Sequence, residues 1–268
     1  MQVGVIIAAG GSSTRFGERN KLAEELGGRA VLQRSVELFA KRAEFGPIVV
    51  AGPADEGAMA EFKVRFGDAL GLLGARVVPG GTSERYESVQ AAMKALVEAE
   101  GGDSITHVAV HDGARPVTPN EVLDRVLEAA EQFPAVIPAI PVTDTLKRVG
   151  EEEVEGEVDP LDAILGDAGK ANQGGDYRTV GSTVEREGLV AVQTPQVFEA
   201  DVLRRAYAQS DLTSTDDAGL VERLGERVVL VDGDPRNVKI TTPLDLLVAR
   251  AVLDERGEAA KRARNALI

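Results

Sequence analysis

Short apolar runs alternate along the chain with stretches in which apolar residues recur every three or four positions. The first pattern fits a buried strand and the second a helix with one face toward a core. The runs predict strands over 2–8, 47–51, 75–78, 105–111 and 135–139. The periodic stretches predict helices over 30–43, 55–66, 84–99, 119–132, 199–209 and 242–256. In the first helix Leu32, Val36 and Phe39 fall on one face, as do Val89, Met93 and Leu96 in the helix from Glu84. Asn120, after Pro119, suits a helix cap. Alternating β and α implies an α/β fold on a mostly parallel, doubly wound sheet. Ligands on such sheets sit beyond the carboxyl ends of the strands. The loops after Ile7, around Gly80–Gly81 and after Val110 are therefore expected to open onto one edge.

The stretch from Gly150 to Ser182 breaks the pattern. It holds nine acidic and two basic residues and is poor in large apolar ones. It reads as an exposed acidic insertion between two extended segments. The tail over 255–268 is charged and alanine-rich, a surface helix or a frayed end.

Composition narrows the classes. A chain of 268 residues with 43% hydrophobic content can bury a substantial core. No apolar run reaches the roughly 18 residues of a membrane span, and the first apolar segment lacks the basic flank of a secretory signal. There is no cysteine and there are two histidines, so thiolate and histidine-rich metal sites are not expected. The net charge of −14 disfavours nucleic acid as a partner. A cytoplasmic protein is the default expectation.

The chemistry starts in the first loop. Ala8 to Lys21 reads Ala-Ala-Gly-Gly-Ser-Ser-Thr-Arg-Phe-Gly-Glu-Arg-Asn-Lys. Small residues admit close approach of backbone N–H groups to phosphate oxygens. Arg15 can fork onto two oxygens, and Lys21 adds a compact charge. The loop is neither a dinucleotide fingerprint nor a Walker loop. After Val110 comes His111-Asp112-Gly113-Ala114-Arg115-Pro116. Asp112 suits a Mg²⁺ ligand, since that ion takes one or two carboxylates plus phosphate oxygens and water; it also suits a turn cap. Arg115 either braces the loop or meets a substrate phosphate. Gly80-Gly81-Thr82-Ser83-Glu84 leads into Ser88. It suits a base-reading loop, or simply an N-cap at Thr82 or Ser83 with Glu87 nearby. Thr145 and Lys147 before the insertion, and Arg186 and Thr194 after it, offer phosphate donors or solvated surface groups. Lys239 precedes a helix start at Pro243, where a bound phosphate would justify a cation. Thr215-Asp216-Asp217 reads as a helix cap and first turn.

In order along the chain, AGGSSTRFG…K, GG…SERYESV, VHDGARP, PVTDTLKR, VEREGL, QTPQVF, STDDA and NVKITTPLDL resemble the 2-C-methyl-D-erythritol 4-phosphate cytidylyltransferase family over residues 3 to 250. The resemblance implies a Rossmann-like nucleotidyltransferase domain with a protruding β-arm at 140–192, a homodimer joined through the arms, CTP as cosubstrate and Mg²⁺. It implies that Arg15 and Lys21 serve the triphosphate and Lys239 the α-phosphate. Asp112 matches the metal-binding position. Gly10 and Gly11 belong to the phosphate loop, and Gly81, Ser83 and Ser88 with the Ala8–Ala9 backbone match the cytosine pocket. Thr145, Arg186 and Thr194 match positions that hold methylerythritol phosphate, and Arg115 is grouped with them as a candidate substrate-binding residue. The reaction it implies uses an ionised phosphate as nucleophile and needs no general base, so His111 reads as a packed histidine. Two alternatives stand: a cytidylyltransferase for ribitol 5-phosphate or another sugar phosphate, and a catalytically silent nucleotide-sensing domain.

Overall fold

The computed structural model describes residues 1–11, 16–17, 19–82, 84–155 and 176–265. In chain order the elements are β1 (Val3–Ala8), β2 (Glu25–Leu26), β3 (Arg29–Ala30), α1 (Val31–Ala40), β4 (Phe45–Gly52), α2 (Glu56–Gly71), β5 (Ala75–Pro79), α3 (Arg85–Val97), β6 (His107–Asp112), α4 (Asn120–Ala130) and β7 (Ala135–Pro141). They continue with β8 (Leu146–Glu155), β9 (Asp176–Val184), β10 (Val190–Val192), β11 (Gln196–Glu199), α5 (Ala200–Ala206), α6 (Asp217–Arg223), β12 (Val228–Asp232) and α7 (Pro243–Asn265). All five expected strands and all six expected helices form. The last helix extends into the tail.

The eight-stranded main sheet runs in the order β10, β7, β11, β6, β1, β4, β5, and β12 also pairs with β7. β1 pairs in parallel with both β4 and β6, and β4 with β5. β11 enters antiparallel between β6 and β7. Side chains of β1 alternate between two cores. Val3, Val5 and Ile7 meet α1, α2, α4 and α7 on one face, while Ile6 meets α3, α5 and α6 on the other. A sheet buried on both faces explains why its strands read as continuous apolar runs. Periodicity alone did not reveal β11 and β12, which are only four and five residues long.

The chain divides into two compact units, Met1–Ile140 with Val192–Ile268, and Pro141–Ala191. The second holds the β8–β9 hairpin. The extended segments reach further than expected, since residues 150–155 and 176–182 of the anticipated insertion are paired strand. The rest of that insertion, residues 156–175, lies outside the described residues.

Candidate active site

The carboxyl ends of β1 and β6, the loop after β5 and the segment before α7 enclose a cleft of ≈490 Å³. Its walls include Gly10, Gly11, Lys21, Gly81, Asp112 and Lys239. The backbone closes in where glycine permits. A Cβ on Gly80 would lie 2.4 Å from the Gly52 carbonyl oxygen and 2.7 Å from Ser88 Oγ, and one on Gly10 would lie 2.9 Å from that same carbonyl. Glycine there lets three loops meet without side chains between them.

Asp112 ends β6 and is buried. Its Oδ2 accepts from Arg115 Nε at 3.1 Å and meets Lys239 Nζ at 3.1 Å. Burial alone would raise the Asp112 pKa, but Lys239, Arg115 and Arg85 outweigh it and hold the carboxyl well below the ordinary carboxylate range. Lys239 reaches this partner because its segment is sewn to the Asp112 loop. Ile240 N donates to the Ala114 carbonyl at 2.8 Å, and Arg115 Nη1 donates to the Asn237 carbonyl at 2.7 Å. Asn237 is itself fully engaged, donating to Gln193 Oε1 and to the Thr194 carbonyl and accepting from Thr118 Oγ1 at 2.8 Å. Of the two readings of Arg115, the structure supports the brace, since its guanidinium is buried and bonded to Asp112 and Asn237.

Thr194 lies beneath the same carboxylate. Its Oγ1 accepts from the Asp112 backbone N–H at 3.0 Å and meets His111 Nδ1 at 3.1 Å. His111 Nε2 faces the Arg115 carbonyl at 3.1 Å, so the proton sits on Nε2 and Thr194 donates to Nδ1. With both bonds made inside the protein, Thr194 acts in this structure as a support for Asp112 and not as an open donor to substrate. His111 is completely buried, and burial pulls its pKa down to about 4, which keeps it neutral and packed against Phe39.

That shift has a pH consequence. The unfolded chain binds a proton on this histidine below about 6.5, whereas the folded chain refuses it until about 4. Protonation therefore favours unfolding in that window, and stability falls as pH drops from 6.5 to 4. Thermal melts across this range should show a declining Tm with a slope that His111→Gln flattens. An unchanged slope would remove His111 as its source.

The β5–α3 loop supplies the opposite wall. The N-cap of α3 is Glu84, forming a capping box with Glu87, instead of Thr82 or Ser83 as the sequence suggested. Ser88 Oγ accepts from Gly81 N at 2.9 Å and keeps its own proton to donate. The Ala8 carbonyl is taken by Gly113 N and Ala9 N by the Ala51 carbonyl, so these two groups brace the fold. Lys21 stands in the short 3-10 turn Lys21–Ala23, which Asn20 caps. Arg15 and Ser83 lie outside the described residues. Thr145 and Arg186 are exposed in the unit Pro141–Ala191, where Arg186 Nη1 donates to the Thr143 carbonyl.

One cleft residue that the sequence reading did not single out is Arg85. It lines the cleft and its Nη1 bonds the fully buried Asp217 at 2.5 Å. Asp217 also accepts from the Tyr207 hydroxyl. The acidic pair after Thr215 thus splits its work: Asp216 caps α6 through Gly219 N, as its sequence position suggests, and Asp217 anchors Arg85. Among the described residues no cluster of three or more acidic or histidine side chains suits a metal ion. A cleft whose two lining carboxylates, Asp112 and the capping-box Glu84, form no such cluster fits only an ion that brings most of its own ligands, as Mg²⁺ on a polyphosphate does.

Comparisons with known proteins converge. The family model described as IspD, 2-C-methyl-D-erythritol 4-phosphate cytidylyltransferase, matches residues 3–160 and 163–255. A protein of that name from Rhodococcus jostii (strain RHA1) is 41% identical over 252 residues, covering 93% of this chain and 94% of its own length. Another from Frankia casuarinae is 39% identical over 269 residues, covering 99% of this chain and 86% of its own. A solved structure of that name from Thermus thermophilus superposes with a TM-score of 0.64 at 32% identity, covering 94% of this chain and 98% of that one.

Proposed function

Since the chain belongs to the 2-C-methyl-D-erythritol 4-phosphate cytidylyltransferase family, we propose that it transfers CMP from CTP to 2-C-methyl-D-erythritol 4-phosphate in isoprenoid precursor synthesis. The observation that carries this reading is the convergence of a glycine loop, Lys21, Lys239 and a firmly ionised Asp112 in one cleft. In the reaction an oxygen of the acceptor phosphate attacks the α-phosphorus of CTP. A new P–O bond forms as the bond to the β-phosphate breaks, and pyrophosphate leaves. The protein's part is positioning and neutralisation.

Lys239, held beside Asp112, faces the α-phosphoryl group. Lys21, with Arg15 of the same loop, takes the charge that grows on pyrophosphate. Gly81 and Ser88 line the base pocket, where the Ser88 proton is a donor for cytosine. Asp112 would hold Mg²⁺, which when bound supplies positive charge to the triphosphate. Thr145 and Arg186 are the acceptor contacts carried over from the family, provided across a homodimer by the partner's arm. The unit Pro141–Ala191 supports a partner there. Among its described residues the paired strands β8 and β9 leave Val149, Val154, Tyr177 and Val180 exposed, and an isolated strand pair gains stability from a cover. The cytoplasm is the location that goes with this reading.

Pyrophosphate release with CTP and Mg²⁺ tests it against a panel of methylerythritol 4-phosphate, ribitol 5-phosphate and glucose 1-phosphate. Release with the first alone is the expected result. Release with ribitol 5-phosphate instead would overturn the acceptor, and CTP binding with no release from any acceptor would leave a sensing domain.

A further inference from the structure

A second cleft, of ≈520 Å³, lies on the other side of the Asp112 loop, between α1, α4 and α7. Four cations line it, Arg34, Lys41, Arg42 and Arg256, against two acids, Glu37 and Asp124. In a chain of net charge −14 this local excess runs against the overall field.

The pairing inside is uneven. Glu37, itself buried, is shared by three cations, Arg29, Arg34 and Lys41. Arg42 Nη2 pairs with Asp124 Oδ1 at 2.7 Å and, outside the lining, with Glu44 Oε1 at 3.1 Å. Arg256 makes no ion pair among the described residues. It donates instead to the carbonyls of Val117 at 2.6 Å and Thr118 at 3.4 Å. Burial and the nearby Arg236 push its pKa down, although Glu121, Asp234 and Glu255 attract it from further off. A partly buried guanidinium bonded only to neutral carbonyls is short of an anion, and guanidinium forks match phosphate oxygens in pairs.

We propose that this second cleft is an anion site for a small molecule bearing a phosphate or diphosphate group, seated between Arg256 on α7 and Arg34, Lys41 and Arg42 on and just after α1. Its wall includes Pro116, and the carbonyls that Arg256 holds belong to the segment that ties Asp112 to Asn237 through Arg115 and Thr118. A ligand that draws Arg256 toward itself therefore acts on the strap behind the first cleft.

The test does not depend on what the first cleft binds. In a Lys21→Ala/Lys239→Ala background, which strips that cleft of two cations, inorganic pyrophosphate is titrated calorimetrically against a sodium chloride control of matched ionic strength. One site per chain is expected. Arg256→Gln should weaken it at least tenfold. Asp124→Asn should tighten it about twofold or more, because it removes the nearer of the two anions that compete for Arg42, leaving Glu44. Asp124 is exposed enough that its substitution spares the fold, and a gain in affinity is not something misfolding produces. No binding at millimolar pyrophosphate, or an affinity that neither substitution moves, would overturn the proposal.

Discussion

Asp112→Asn should lower kcat by about a hundredfold or more, equivalent to ~3 kcal/mol of lost transition-state stabilisation. The carboxylate holds Lys239 at 3.1 Å and is the group proposed to hold the metal, so one substitution disturbs two sources of charge compensation. The fold should suffer less. Breaking a fully buried ion pair costs roughly 3–5 kcal/mol, but the Lys239 side chain is 42% exposed and can rehydrate, and Arg115 keeps the Asn237 carbonyl. Lys239→Ala should reduce kcat to a similar extent. The double variant should lose less than the two losses combined, because residues acting as a unit are not additive. Steady-state pyrophosphate release, paired with a thermal melt of each variant, measures both quantities. A kcat within a few-fold of the parent for Asp112→Asn, in a folded protein, would remove this pair from the chemistry.

The largest stability effect is expected at Asp217. Its side chain is fully buried and serves both Arg85 and the Tyr207 hydroxyl. Asp217→Ala strands a cation and a phenol in the interior at a cost of about 3 kcal/mol, or a Tm drop of roughly 5–10 °C for a chain of this size. Arg85 is about a third exposed at its side chain, which keeps the cost toward the lower end of the range for buried pairs. Adding Arg85→Leu to Asp217→Ala should recover part of the loss, since the uncompensated charge goes with it. Urea denaturation of the single and double variants decides the matter. A single variant as stable as the parent, or a double variant less stable than the single one, would show that the pair does not anchor α3 to α6. Because Arg85 lines the cleft, releasing it should also raise KM for CTP.

Much of this protein is legible in its residues. Apolar runs and helical spacing report burial, and burial on both faces of a sheet is set locally by the chain's own alternation. The doubly wound sheet, its helices and the edge carrying the loops after Ile7, Gly80 and Val110 follow from that pattern. So does the family, through motifs spread from the first strand to the last helix. What those residues do to one another is another matter. Arg115 and Thr194 each present donors that suit a phosphate, yet in the fold both turn inward to brace Asp112, because a buried carboxylate and its backbone must have partners. β11 slips antiparallel between β6 and β7 with four residues, too few to show a period. Lys239 meets Asp112, and Asp217 meets Arg85, only after segments far apart in the chain are sewn together by Ile240, Asn237 and α6. The sequence by itself determined which apolar segments are buried and which loops gather at one edge of the sheet. The tertiary structure alone decided which cation faces which carboxylate, because that choice depends on distances between segments whose spacing along the chain carries no trace of it.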